Sequence, residues 1–205
     1  MANDARADKR TQITDAAVEV FAEKGFNQAR VSDVARRAGV ADGTIYLYFK
    51  NKEDLLLSIF EEKMDLLLEG LAVALEGADD PVDRARRFAR FHFEQVRTNR
   101  SVAEVLQIEL RLSNKFLKEY RPEKLWAYLG VFGQIVRDGQ ARGIFRPEID
   151  SFVAMWSFFG ALDELGMQWV LARNPDRFSL EAAANQVADT FIRGMSVDSP
   201  SNPKI

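Results

Sequence analysis

The 205-residue chain contains a single histidine and no cysteine, so disulfides, thiolate metal sites and thiol nucleophiles are excluded. His92 sits in the run FARFHF, residues 88–93. A lone imidazole among phenylalanines suits a hydrogen-bonded pocket or core residue better than a catalyst or a metal ligand. Asp163 and Glu164 are further acid–base candidates, but adjacent residues on a helix point in different directions and form no facing pair. No phosphate loop, dinucleotide fingerprint or metal-ligand spacing occurs. An enzyme is disfavoured on these grounds, and neither a metal nor a cofactor is expected.

The remaining candidates are binding groups. GVADGTIYLYFKNKEDLL, Gly39 to Leu56, joins a turn, a short helix and a second helix start. Val31–Ala38 supplies a short preceding helix, and Gly39 is the left-handed residue that ends it. Asp42–Phe49 reads as the next helix, and Asn51, with Asp54 three residues on, as the cap of a third. Two short helices around a glycine turn form a helix-turn-helix. At about 100° per residue, Ile45 and Phe49 share one side and should pack inward. Thr44, Leu47 and Tyr48 then point out, with Tyr46 on the opposite flank. Two phenols, a hydroxyl and an exposed leucine, followed by Lys50 and Lys52, suit phosphate oxygens at the edges and base edges at the centre. The alternative is an aromatic core helix, but apolar side chains at every position from 45 to 49 cannot all be buried on so short an element.

A second group is Arg111, Lys115, Lys118, Arg121 and Lys124, which a continuous helix would gather into a basic stripe, broken somewhat by Pro122. Arginine offers a planar fork to phosphate oxygens. The same spacing also describes an ordinary solvated face.

The run Gly39–Leu56 closely resembles the helix-turn-helix of the TetR family of bacterial transcriptional repressors, whose DNA-binding part is three N-terminal helices. VADGTIYLYFKNKEDLL, together with ELRLSN at 109–114, resembles the FadR-type members, which control fatty acid degradation and respond to long-chain acyl-CoA. Arg30 departs from the pattern, standing where the family often has a small hydroxyl residue. The resemblance implies a homodimer reading two half-sites of a pseudo-palindromic operator in double-stranded DNA, about 34–36 Å apart or a multiple of that. Thr44, Tyr46, Tyr48 and Lys52 are expected at phosphates, and Ala41, Asp42, Gly43 and Leu47 nearer the bases, with Arg30 and Ser32 beside them. Lys52 in particular is expected to contribute to the salt dependence of binding. For Asp42, capping its own helix competes with contact to a cytosine amino group.

For the effector, the resemblance implies a long-chain acyl-CoA that lowers affinity for DNA. Its phosphates are expected near Arg111, with Asn114 and Lys118 as lesser polar contacts. Leu110, Phe158, Leu162 and Trp169 are the expected apolar wall, and Phe91 and His92 belong to the same candidate pocket. Three alternatives stay open: a repressor sensing a different apolar compound such as a drug or other lipid, a dimeric interaction protein without a ligand, and an enzyme that turns over acyl-CoA.

The elements that position these groups read as helices throughout, an all-α chain. Lys9–Lys24 repeats Ile13, Ala16, Ala17, Val20 and Phe21 at helical spacing. Asp4–Arg10 before it reads as a loose arm or a disordered tail. Lys52–Leu75 is one long helix, and EGADDP at 76–81 is the clearest break. Pro81–Thr98 follows, then a helix capped by Ser101 and running through Arg111, then Pro122–Arg142. The last two helices, near Asp150–Asn174 and Ser179–Gly194, are expected to be antiparallel neighbours. Their Phe152, Met155, Trp156, Phe159 and the Val187–Ile192 segment form the expected dimer surface. The division is a DNA-binding domain at 1–51, an effector-binding and dimerisation domain at 52–197, and a flexible tail at 198–205.

The net charge of −3 hides an asymmetry: residues 1–52 hold nine Lys or Arg against seven Asp or Glu, and the rest 19 against 24. A mildly basic head on an acidic body fits DNA binding through placed contacts more than bulk charge. The most apolar stretch, Phe152–Ala172, is interrupted by Asp163, Glu164 and Gln168, so it is no membrane span. A soluble, cytoplasmic chain with no membrane partner is expected.

Overall fold

The computed structural model describes residues 2–110, 120–172 and 178–197, with side chains from residue 6 onward. The described residues are helical apart from turns and one isolated bridge between Phe145 and Ser196. In chain order the helices are α1 (Ala2–Lys24), α2 (Val31–Arg37), α3 (Asp42–Ile45), α4 (Lys52–Ala74), α5 (Pro81–Thr98), α6 (Arg100–Glu104, continuing as a π-helical segment over Val105–Glu109), α7 (Glu123–Ala141), α8 (Ser151–Leu171) and α9 (Leu180–Met195). They form two compact units, Met1–Asp65 with Asn99–Pro122, and Leu66–Thr98 with Glu123–Ile205. The division therefore falls inside α4, and the Asn99–Pro122 segment joins the N-terminal unit, whereas the sequence placed the break at residue 52. Periodicity along a chain cannot show that a later segment packs back onto an earlier one.

In the first unit α1 and α2 meet at the turn after Gly25, whose φ of +76° only glycine adopts freely. The second turn follows α2 through Gly39, at φ +64°. There Val40 N–H donates to Ala35 O (3.0 Å) and Gly39 N–H to Arg36 O (3.2 Å), so the free carbonyls of α2 are closed off. Ile13, Phe21, Val34, Ile45, Phe49 and Leu55 are buried around this corner. Asn51 caps α4 as expected, its side chain accepting from Asp54 N–H at 2.8 Å.

Three local expectations change. The segment Asp4–Arg10 is the start of α1 rather than a loose arm; Arg10 pairs with Glu62 at 2.9 Å and lies 4.6 Å from the Phe49 ring centroid. α3 ends at Ile45, and Tyr46–Tyr48 continue as tight turns, with Leu47 N–H to Thr44 O and Tyr48 N–H to Ile45 O. The β-branched and aromatic run 44–49 disfavours a longer regular helix. Ser101 does not cap α6: the cap falls two residues earlier at Asn99, whose carbonyl accepts from Ala103 N–H at 2.9 Å.

In the second unit α9 packs mainly along α5, and α7 pairs with α8. The centre is aromatic. Phe132 and Phe158 stack with centroids 3.8 Å apart and planes 6° from parallel, and Phe88 meets both edge-on at 5.9 Å. Asp150 caps α8 by accepting from Phe152 N–H and Val153 N–H, and Ser179 caps α9 by accepting from Ala182 N–H. After α7 the chain turns through Gly143, at φ +68°, and folds the fully buried Phe145 back onto Gly139. A methyl group at 139 would stand 2.1 Å from Phe145 Cδ2. Gly139→Ala should therefore lower stability by about 1–3 kcal/mol despite the better helix propensity of alanine. The check is a urea midpoint below that of the unaltered protein; an unchanged midpoint would contradict this packing.

Candidate nucleic-acid interface and ligand cavity

The sequence places Ile45 and Phe49 inward, and both are 1% exposed. The two side chains between them that face outward most are Tyr46, 58% exposed, and Leu47, 72% exposed. Large apolar side chains this exposed on a short, well-anchored element mark a contact surface. Arg30, Ser32, Ala41, Asp42 and Gly43 are exposed as well, while Thr44 and Tyr48 are half-buried. Arg30, Ser32, Asp42, Tyr46 and Lys52 line one hollow of about 510 Å³, so five of the expected contact residues come together.

Charge on this face is selective. Arg37 is held by Glu19 and Glu23, both at 2.6 Å, and Lys24 and Arg36 by Asp33. The Lys24 hydrogen bond, with Arg30 N–H, holds the Asp33 carboxyl below the usual carboxylate range. Arg30 N–H donates to Asp33 at 3.1 Å, which supplies one half of a capping box. The missing hydroxyl at position 30 therefore leaves α2 with a cap, although a guanidinium offers no acceptor for the other half. Arg30 and Lys50 have no carboxylate partner among the described residues, and they carry the open positive charge of this surface. Arg6 adds a cation 5.9 Å from the Tyr48 ring centroid.

Lys52 occupies a different role from the expected one. Its Nζ donates to Phe26 O at 2.6 Å, Ala29 O at 3.0 Å and Asn27 O at 3.4 Å, and lies 4.5 Å from the Phe26 ring centroid. Burial pulls its pKa below the usual lysine range. All three ammonium donors are engaged by the backbone of the α1–α2 turn, so the side chain positions the interface rather than reaching out from it. On the other side of that turn, Phe26 N–H donates to the buried Glu109 carboxylate at 2.6 Å. Neither contact was foreseen, because residues 26, 52 and 109 are brought together only by the fold. The one available signal for Glu109 was an acidic residue on the apolar side of its helix.

The candidate ligand residues divide. Arg111, Asn114 and Lys118 lie outside the described residues. Leu110 is buried in the first unit. Phe158 and Leu162 are fully buried in the aromatic centre of the second, so they are core there rather than cavity wall. Phe91 and Trp169 do line a cavity of about 1090 Å³, together with Phe93, Phe178 and the arginines Arg87, Arg90 and Arg97. Arg97 is paired with Glu94 and Arg87 with Asp83, whereas among the described residues Arg90 faces the neutral Asn185 side chain, at 3.2 Å. An apolar floor with a cationic edge suits an amphipathic anion. Arg87, Arg90, Glu94 and Arg97 share the α5 face of Phe91 at helical spacing, a pattern the sequence displayed beside the phenylalanines. His92 is buried next to this face, and its Nδ1 is 3.1 Å from the Tyr128 hydroxyl. Asp163 is buried and Glu164 exposed, so these neighbours diverge as expected of adjacent helical residues.

Comparison with known proteins also divides the chain within α4, between residues 59 and 60, but keeps residues 99–122 in the C-terminal match. Residues 13–59 match the N-terminal domain described as bacterial regulatory proteins of the tetR family, and residues 60–194 the C-terminal region of YsiA-like proteins. The fatty acid metabolism regulator protein of Bacillus subtilis is 38% identical over 187 residues, covering 91% of this chain and 95% of that protein. The crystal structure of Bacillus subtilis FadR in complex with stearoyl-CoA superimposes with a TM-score of 0.83 at 38% identity, covering 90% of this chain and 98% of that one. The fatty acid degradation regulator FadR of Bacillus halodurans gives a TM-score of 0.83 at 39% identity, with 90% and 94% covered.

The geometry of Lys52 sets an expectation. Lys52→Ala leaves three carbonyls without their donor and should lower stability by about 1–3 kcal/mol. DNA affinity should fall only as far as the turn loosens, with the slope of log affinity against log salt unchanged, because no phosphate contact is removed. A flatter slope in filter-binding titrations would restore Lys52 to the phosphate contacts.

Proposed function

The chain belongs to the TetR family of bacterial regulatory proteins, and from that premise we propose that it is a cytoplasmic homodimeric repressor released from its operator by long-chain acyl-CoA. It is a transcriptional regulator and not an enzyme. The observation that carries the effector is the extent of similarity to the FadR protein solved with stearoyl-CoA, which spans both units. Among the described residues no helix is long and apolar enough to cross a membrane.

At the operator, Leu47 enters the major groove from the rigid base made by Ile45 and Phe49 and lies against a thymine methyl. Ala41, Asp42 and Gly43 approach the bases from the start of α3. Arg30, Ser32, Thr44, Tyr46, Tyr48 and Lys50 take the phosphates that fix register. In the body, the acyl chain lies among the aromatic side chains and Arg111 receives coenzyme A phosphates, with Asn114 and Lys118 nearby. Ligand lowers DNA affinity by preferring a conformation in which the paired heads are wrongly spaced. α4 runs through both units without interruption and is the covalent path for that change.

The dimer forms through α8 and α9. Of the expected surface, Met155, Val187 and Ile192 are buried within the chain itself, Trp156 and Phe159 are half-buried, and Phe152 is 55% exposed and open to a partner. Val153, Ser157, Gly160 and Glu164 on α8 and Gln186, Thr190 and Gly194 on α9 are exposed at helical spacing. Ser157→Arg adds charge at a position that is exposed in one chain and should not disturb its fold. It should convert a dimer to a monomer in sedimentation; persistence of the dimer would move the interface elsewhere.

The effector is tested by titrating a labelled operator complex with stearoyl-CoA, stearate and free coenzyme A. Stearoyl-CoA alone should release DNA, with a coupling of about 1–3 kcal/mol, some five- to 150-fold in affinity. Equal release by stearate would instead favour a repressor that senses another apolar compound.

A further inference from the structure

The cavity beside α5 holds about 1090 Å³, at the top of the roughly 300–1,000 Å³ typical of small-molecule sites. Its lining residues lie within the second unit. Phe91, Trp169, Phe178 and Leu180 make its apolar floor. The Phe91 ring is laid directly on the backbone of α4, since a methyl group at Gly70 would stand 3.0 Å from its Cε2 and Cζ. The floor is therefore seated by the fold itself.

The three arginines on the wall differ in what they have left to offer. Arg87 directs Nε to Asp83 at 2.9 Å and Nη1 to Glu76 O at 3.0 Å. Arg97 gives Nε and Nη2 to the two carboxylate oxygens of Glu94, at 2.9 and 2.6 Å. Arg90 directs Nε and Nη2 to Asn185 Oδ1, at 3.3 and 3.2 Å, and its Nη1 has no hydrogen-bond partner among the described residues. A neutral amide holds this guanidinium in place without cancelling its charge. The edge formed by Nη1 and Nη2 stays open, and its parallel N–H groups match the two oxygens of a carboxylate. Coenzyme A carries several phosphate charges, which one open cation cannot balance, and Glu181 on the same wall opposes a multiply charged head further. A single anionic head on a long apolar tail fits both the edge and the floor.

We propose that this cavity is a second ligand site, which takes an unesterified long-chain carboxylate with its head on Arg90 and its tail across Phe91 and Trp169. It is separate from the site of the acyl-CoA effector and does not depend on the acyl-CoA reading. Asn185 acts as the positioning residue, because it aims the guanidinium and leaves its charge for the ligand.

Trp169 is one of three tryptophans in the chain, and neither of the others lines the cavity. Trp126→Phe with Trp156→Phe, in the full chain, leaves Trp169 as the only indole reporter. The probes are 12-bromododecanoate, whose bromine quenches a tryptophan that it touches, and 12-bromododecanol, which keeps the tail and lacks the charge. The acid should quench Trp169 saturably and bind about five- to tenfold more tightly than the alcohol. Arg90→Gln should bring that ratio close to one. Asn185→Asp should do the same while keeping the arginine, because it supplies the kind of partner that Arg87 and Arg97 already have. Equimolar dodecanoyl-CoA should leave the quenching in place. Absence of quenching by the acid overturns the site, as does equal affinity for acid and alcohol, or a ratio that survives either variant. Displacement by equimolar dodecanoyl-CoA overturns it too, since the cavity would then be the effector's own.

Discussion

The turn from Gly25 to Arg30 cannot satisfy its own backbone, and the rest of the N-terminal unit is arranged to do so. Carbonyls of Phe26, Asn27 and Ala29 face one ammonium, that of Lys52, and the N–H of Phe26 faces one carboxylate, that of Glu109. Buried backbone groups left unpaired would be costly, so the first residue of α4 and the last turn of α6 are pinned to the corner between α1 and α2. This fixes where α2 begins, and Gly39 then fixes where α3 begins. The exposed residues of α3 are held in place by contacts between segments distant in sequence, residues 26–29 with 52 and 109.

The same logic runs in reverse in the second unit, where apolar packing is plentiful and polar groups are few. Phe88, Phe132 and Phe158 make a close-packed centre that needs no ligand to be complete. His92 and Tyr128 interrupt that shell with one hydrogen bond, and His92 Nε2 has no hydrogen-bond partner among the described residues. The Phe91 and Trp169 cavity differs from the centre in having arginines at its edge. Aromatic residues that look alike in the sequence thus divide into core, shell and cavity wall by position alone.

Much of the head was legible without coordinates. Glycine at φ +64° after α2, the Asn51 cap, and the inward pair Ile45 and Phe49 all follow from local chemistry. The length of α3 did not, because a run of β-branched and aromatic residues can be helical or turned, and packing of its two anchors decides. Lys52 looked like a phosphate contact because a lysine beside a helix-turn-helix is usually solvated. Met155 and Val187 looked available to a partner because periodicity identifies an apolar face but not which layer covers it.

The sequence by itself determined an all-helical chain, a helix-turn-helix with its outward residues, and the absence of thiol chemistry, since each depends on spacing and residue type within a few turns of chain. Only the tertiary structure decided that residues 99–110 pack with the head, that Lys52 and Glu109 hold a turn far from them in sequence, and that His92 Nε2 has no hydrogen-bond partner among the described residues. These rest on contacts between distant segments, and the free energy of such a contact depends on what else surrounds it once the chain has folded.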